Sequence, residues 1–236
     1  LSASAPGDPR HSHVPELVIF DCDGVLVDSE GISAEVLARA LSAAGLPTSP
    51  GDALLAYKGL LMADLIRQAE TQLAAPLPAG FVEAFENDRA VEFRRRLRPV
   101  AGAGDAVRSL RAAKIKACVA SQGKLEKTDL TLSLTGLRDL FGQDELFSAY
   151  MVARGKPHPD LFLHAAAAMR TAPQRCVVVE DTAIGVSAAR SAGMRALGYA
   201  GDSDGEELRQ AGAEVLRSLA SLPARIGLTP MSGEDQ

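Results

Sequence analysis

The strongest constraint on the fold is a change of pattern at Pro99. Beyond it, short continuous apolar runs alternate with helical stretches. The runs lie at 115–120, near 146–149, and at 176–179, 195–199 and 214–216. Helical patterns fill about 102–113, 124–135, 158–170 and 183–192, and a last helix precedes 214. A run that is apolar at every position predicts a strand covered on both faces. A helix between two such strands makes a right-handed parallel unit. Upstream, Leu17–Phe20 has the same character, but nothing between Glu30 and Pro99 reads as a strand. There Ile32, Val36, Leu37, Ala40, Leu41 and Ala44 recur on one helical face, and Gly45 closes it. Further helical patterns cover 51–74 and 79–97. The expected class is therefore α/β: a doubly wound parallel sheet interrupted after its first strand by an all-helical insert. The core takes 15–30 and 99–226, the insert 31–98. Residues 1–14 and 227–236 read as disordered tails.

Bulk properties narrow the function. The 236 residues suit one large domain with an insertion, and 47% apolar residues supply its core. A net charge of -5 argues against nucleic acid or an acidic membrane surface as partner. No apolar run is long enough to span a bilayer, no signal-peptide pattern opens the sequence, and no obligate protein partner is evident. Cys22, Cys118 and Cys176 lie within or at the end of β-branched runs, without C-x-x-C spacing. They read as reduced, buried residues of a cytoplasmic protein. The four histidines do not cluster near them, which argues against a structural zinc site. The basic run F-R-R-R-L-R at 93–98 reads as a solvated face suited to a helix C-terminus. A lip attracting an anionic substrate is the sharper alternative.

In an open parallel sheet, ligands collect at the carboxyl ends of the strands. The first strand ends in Asp21 and Asp23, then Gly24, with no Lys or Arg nearby in the sequence to neutralise them. The 115–120 strand leads to Ser121 and Gln122, the 146–149 segment to Lys156 in R-G-K-P, and the 176–179 strand to Glu180 and Asp181. Several carboxylates in one crevice repel unless a cation sits among them. A hard divalent ion with oxygen ligands, Mg2+ foremost, meets that need. One Lys and one Ser are too little to neutralise the cluster, but suit a phosphoryl group beside a metal. Gly24 lets the backbone turn sharply and aim N–H groups at an anion. An aspartate can act as a covalent nucleophile, and a second one can serve as general acid and then base. Singly, each residue has a plainer reading: a turn for Asp-x-Asp-Gly, a helix N-cap for Ser121, a surface lysine for Lys156, a helix cap for Glu180 and Asp181. Their joint appearance, each just past a strand, argues for one site.

The set Asp21-x-Asp23-Gly-Val-Leu-Val-Asp28-Ser29-Glu30, Ser121, Lys156-Pro157 and Glu180-Asp181 resembles the four-motif signature of the haloacid dehalogenase-like hydrolase superfamily. The single helical insert and G-K-P-H-P-D-L-F resemble its sugar-phosphatase and β-phosphoglucomutase-like branch. The resemblance covers about residues 15–220. It implies a Rossmann-like core and a mobile helical cap that closes over the substrate. It also implies that Asp21 becomes an aspartyl-phosphate and that Asp23 protonates the leaving oxygen and then activates water. Asp21, the backbone carbonyl of Asp23, and Asp181 would hold Mg2+, with Glu180 as a further or outer ligand. Ser121, Gln122 and Lys156 would grip phosphoryl oxygens, and Lys58, before Gly59 in a cap turn, would touch substrate.

Two readings follow from this resemblance: a phosphatase of a small sugar or sugar-acid phosphate, and a β-phosphoglucomutase. The mutase pattern has a cap histidine where this chain has Ser33, and a cap arginine where it has Met62. Both departures favour the phosphatase, since arginine is the natural grip for a second phosphate. The chain also resembles sugar-acid phosphatases around L-F-S-A-Y and R-G-K-P-H-P-D-L-F. A haloacid dehalogenase would lack Asp23. A phosphonate hydrolase would need a Schiff-base lysine, for which only Lys58 is available. A non-catalytic phosphate sensor would be expected to have lost a motif residue, and none is lost.

Overall fold

A computed structural model describes residues 14–201 and 203–228. The expected tails fall mostly outside these residues. Leu228, placed in the C-terminal tail by sequence, packs against the main core.

The chain begins with β1 (Leu17–Phe20) and passes through four helices: α1 (Glu30–Ala43), α2 (Pro50–Tyr57), α3 (Met62–Leu73) and α4 (Phe81–Arg96). It continues as α5 (Ala103–Ala112), β2 (Lys116–Ser121), α6 (Leu125–Leu134), β3 (Leu146–Ser148), α7 (Asp160–Ala168), β4 (Cys176–Glu180) and α8 (Ala183–Ser191). Then follow β5 (Arg195–Tyr199), α9 (Glu206–Gln210), β6 (Glu214–Leu216) and α10 (Leu222–Arg225). The six strands form one parallel sheet in the order β3-β2-β1-β4-β5-β6. The order reverses at β1, and the crevice there is the usual ligand position of such sheets.

Strand alternation builds a core on each face of the sheet. Val18 and Phe20 of β1 join Val107 and Leu110 of α5, whereas Leu17 and Ile19 join Leu161 and Phe162 of α7. Each fully buried Leu or Phe contributes about 1.5–3 kcal/mol. The helical insert has its own apolar cluster, in which Leu37 and Leu41 of α1 meet Tyr57, Leu65 and Phe85. Ile32, Phe93 and Leu97, near its two ends, are buried in the core beside the sheet instead. The two crossings of the chain lie side by side. Asp28 donates its N–H to the Arg98 carbonyl, and Val100 donates to Leu26, both at 2.9 Å.

One boundary differs from the sequence reading. The pattern over 51–74 is two helices, broken between Tyr57 and Met62. Ser49 starts α2 with a capping box to Asp52, and Lys58 leaves the helix with an extended ψ of 131°. Gly59 then takes a φ of +74°, which favours glycine. The arginines at 94–96 end α4; Arg95 pairs with Glu92, and Arg96 with Glu35 and Glu92. They are a solvated helix end, and none lines the pocket below.

Candidate active site

One pocket opens where β1, β2 and β4 end beneath α1, α2 and α4. At its floor Lys156, 7% exposed, donates to Asp21 Oδ1 and to Glu180 Oε1, each at 2.5 Å, and to the Ala120 carbonyl at 3.2 Å. Burial opposes the Lys156 charge, but Asp21 and Glu180 hold its pKa above the ordinary lysine value. Burial pushes the Asp21 carboxyl well up, Lys156 pulls it back, and Glu180, Asp181 and Asp23 add to the rise.

Above this pair the other two aspartates each have a lysine. Asp23 accepts from Ser29 Oγ at 2.6 Å and pairs with Lys127. Burial would raise its pKa, but Lys127 and Ser29 hold it below the usual range. Asp181 pairs with Lys58 at 2.7 Å. Burial pushes Asp181 up to about 7, against Lys58 and with help from Glu180 and Glu30. Glu30 also lines the pocket, and burial, then Asp23, pushes it up to about 7.

This arrangement corrects the expectation that the basic groups at the site are too few to neutralise its carboxylates. Lys58, Lys127 and Lys156 pair with the aspartates, and they arrive from three separate segments of the chain. Lys127 escaped the sequence reading, although it carried a signal. Lys124 and Lys127 stand at the N-cap and first turn of α6, where the helix dipole disfavours cations. Such placement calls for a nearby anion, and Lys124 pairs with Glu86 as Lys127 does with Asp23. Arg89 was missed as well. It stands four residues from both Phe85 and Phe93 on one face of α4, and its guanidinium lies over both rings.

Three residues expected to contact phosphate or metal are engaged within the protein. Ser121 is fully buried, its Oγ accepts the Gly123 N–H at 3.0 Å, and it does not line the pocket. It is not a helix cap; Lys124 occupies that position. Gln122 binds the Lys156 backbone from both ends of its amide, at 3.1 Å each. It therefore fixes the segment that carries Lys156. Glu180 accepts from Lys156 through Oε1, and from the Thr182 N–H and Oγ1 through Oε2. Its carboxylate orients the lysine and the start of α8, where Thr182 is the N-cap.

The donor set suits a hard cation. Among the described residues no three His, Cys, Asp or Glu side chains converge on one metal position. The set implied by resemblance has two carboxylates with a backbone oxygen as third donor, and its further or outer member, Glu180, is held by Lys156 and Thr182. The Asp181 carboxylate is packed on the loop after Asp23: a Cβ at Gly24 would lie 2.0 Å from Asp181 Oδ2. All the donors are oxygen, and Asp181 adds to the cost of charging Asp21. Gly24 also has a φ of +73°. Gly24→Ala is expected to cost about 1–3 kcal/mol from backbone strain alone, and more from the clash. A melting curve and an activity assay check this; unchanged values in both would contradict the contact.

A family model described as a haloacid dehalogenase-like hydrolase matches residues 15–193. The chain belongs to this family. Its relatives include the 6-phosphogluconate phosphatase of Escherichia coli, 28% identical, with 88% of this chain and 93% of the relative covered. Hexitol phosphatase B of the same organism is 30% identical, with 88% and 94% covered. A crystal structure of a family hydrolase from Deinococcus radiodurans, with bound phosphate and sodium, superimposes with a TM-score of 0.75. It is 30% identical, with 92% and 98% of the two chains covered. Both of these curated relatives are named as phosphatases, and this member of the family has a six-stranded parallel core.

Proposed function

We propose that the protein is a Mg2+-dependent phosphatase of a small phosphorylated metabolite, a sugar or sugar-acid phosphate. The observation that carries this reading is the buried Asp21–Lys156 pair at the pocket floor with Asp23 beside it. Asp21 Oδ attacks phosphorus and the bond to the leaving oxygen breaks. Asp23 gives that oxygen a proton. Asp23 first takes this proton from the phosphate group of the substrate monoanion, and on passing it to the leaving oxygen returns to the ionised form that Lys127 and Ser29 favour. Asp23 then takes a proton from water, which attacks the aspartyl-phosphate and releases phosphate and Asp21. Lys156 neutralises phosphoryl oxygens throughout. Asp21, Asp181 and the Asp23 carbonyl would hold Mg2+, which when bound supplies further charge neutralisation for the transferring group. The Lys58–Asp181 bridge ties the insert to the core beside the site.

Hydrolysis is favoured over mutase chemistry by two residues. Ser33 and Met62 both line the pocket, where the mutase pattern calls for histidine and arginine. The test is phosphate release from p-nitrophenyl phosphate. Release with Mg2+ that falls about 100-fold or more in EDTA is the expected result, in line with the weight of charge stabilisation in such sites. No release with Mg2+ would refute the phosphatase reading. Conversion of β-glucose-1-phosphate to glucose-6-phosphate, primed by the bisphosphate, would replace it with the mutase.

A further inference from the structure

We propose that Arg89 on α4 reads a carboxylate at the far end of the substrate, so that the preferred substrates are phosphomonoesters of sugar acids. This deepens the phosphatase reading and rests on it.

The argument starts from the charges that line the pocket. Its cationic side chains are Lys58, Arg89, Lys124, Lys127 and Lys156. Each lysine has a carboxylate partner: Asp181, Glu86, Asp23, and Asp21 with Glu180, respectively. Among the described residues Arg89 makes no ion pair and no hydrogen bond. Its guanidinium lies 4.7 Å from the centre of the Phe85 ring and 5.9 Å from that of Phe93. Stacking on aromatic faces holds the planar group and leaves its in-plane N–H donors unused. A half-buried guanidinium without an acceptor is costly. Burial accordingly lowers its pKa from the usual arginine value, although it stays charged.

Its position selects the part of the substrate it meets. Arg89 and Lys127 share the Phe93 ring, 5.9 and 6.0 Å from its centre, and Lys127 pairs with Asp23. Asp23 is the carboxylate assigned to the leaving oxygen, so Arg89 stands on the leaving-group side of the phosphoryl position. The planar fork of donors matches a carboxylate bidentately. One unpaired positive charge balances one carboxylate. Glu30 and Glu86 disfavour a second, dianionic phosphate at the same place.

The experiment compares an aldonic acid phosphate with the alditol phosphate of the same chain length, in the wild type, Arg89→Met and Arg89→Lys. The wild type is expected to favour the acid by about tenfold in kcat/KM, the worth of one charge-assisted pair. Arg89→Met should bring the ratio close to one, mainly through KM, and Arg89→Lys should keep part of it. Calorimetric binding of both ligands to Asp21→Asn, with and without Arg89→Met, repeats the comparison without turnover. A wild-type ratio near one, or a preference that survives Arg89→Met, overturns the assignment. So does tighter binding of an alditol bisphosphate than of the acid. If neither compound is hydrolysed but the binding preference holds and depends on Arg89, the assignment stands and the phosphatase reading falls.

Discussion

Asp21→Asn is expected to lower phosphate release from p-nitrophenyl phosphate by about 10⁴-fold or more, the scale on which a lost covalent nucleophile is felt. The same change should leave the melting temperature at pH 7.5 equal or higher. Asparagine keeps an oxygen for the Lys156 ammonium, and Lys156 keeps Glu180 as counter-ion. Asp21 has a folded pKa well above its ordinary value. A group shifted in that direction contributes stability that is fully present below its unfolded pKa and lost as pH rises through the folded one. Ionising this carboxylate is therefore costly in the folded chain, and the neutral amide removes that cost. Acid-quenched wild type should carry covalent phosphate from labelled substrate, and the variant none. Activity retained in Asp21→Asn would dismiss Asp21 as the nucleophile.

Lys156→Met is expected to have the largest effect on stability. It leaves Asp21 and Glu180, 6% and 1% exposed, without their shared cation. Breaking a buried pair from one side costs about 3–5 kcal/mol, or roughly 6–20 °C in Tm for a chain of this size. Activity should fall with it by about 10³-fold, since the same ammonium neutralises the phosphoryl group. The stability loss should depend on pH. Without Lys156 the Asp21 pKa rises further, so ionising it costs more and the variant loses more stability than the wild type as pH rises. The variant should thus be closest to the wild type near pH 5 and furthest from it near pH 8. Thermal melts across this range check the sign. A Tm difference that is small or independent of pH would mean that the three groups do not share a buried network.

Legibility in the sequence followed the range of the forces involved. Leu17–Phe20 is apolar at four consecutive positions, and only burial on both faces of a parallel sheet accounts for that pattern. Asp21, Asp23, Glu180 and Asp181 were legible because they stand at or just past the end of a strand, and Lys156 because it lies in the loop that follows β3. The 51–74 segment was misread as continuous because its apolar period runs through the break. The backbone at Lys58 and Gly59 makes that break, and periodicity does not report it.

What the sequence by itself determined is therefore the α/β class, the helical insert and the acidic residues at the strand ends. These depend on local pattern and on strand-to-loop adjacency. Only the tertiary structure decided how the charges are matched. Lys58 reaches Asp181 across 123 positions of chain, Lys156 reaches Asp21 across 135, and Lys127 closes on Asp23 from the first turn of a helix. It also decided that Gln122 serves the Lys156 backbone, that Ser121 Oγ accepts the Gly123 N–H, and that Arg89 stacks on two rings with no ion pair among the described residues. Ion pairing and desolvation act through space, and sequence separation carries no record of them.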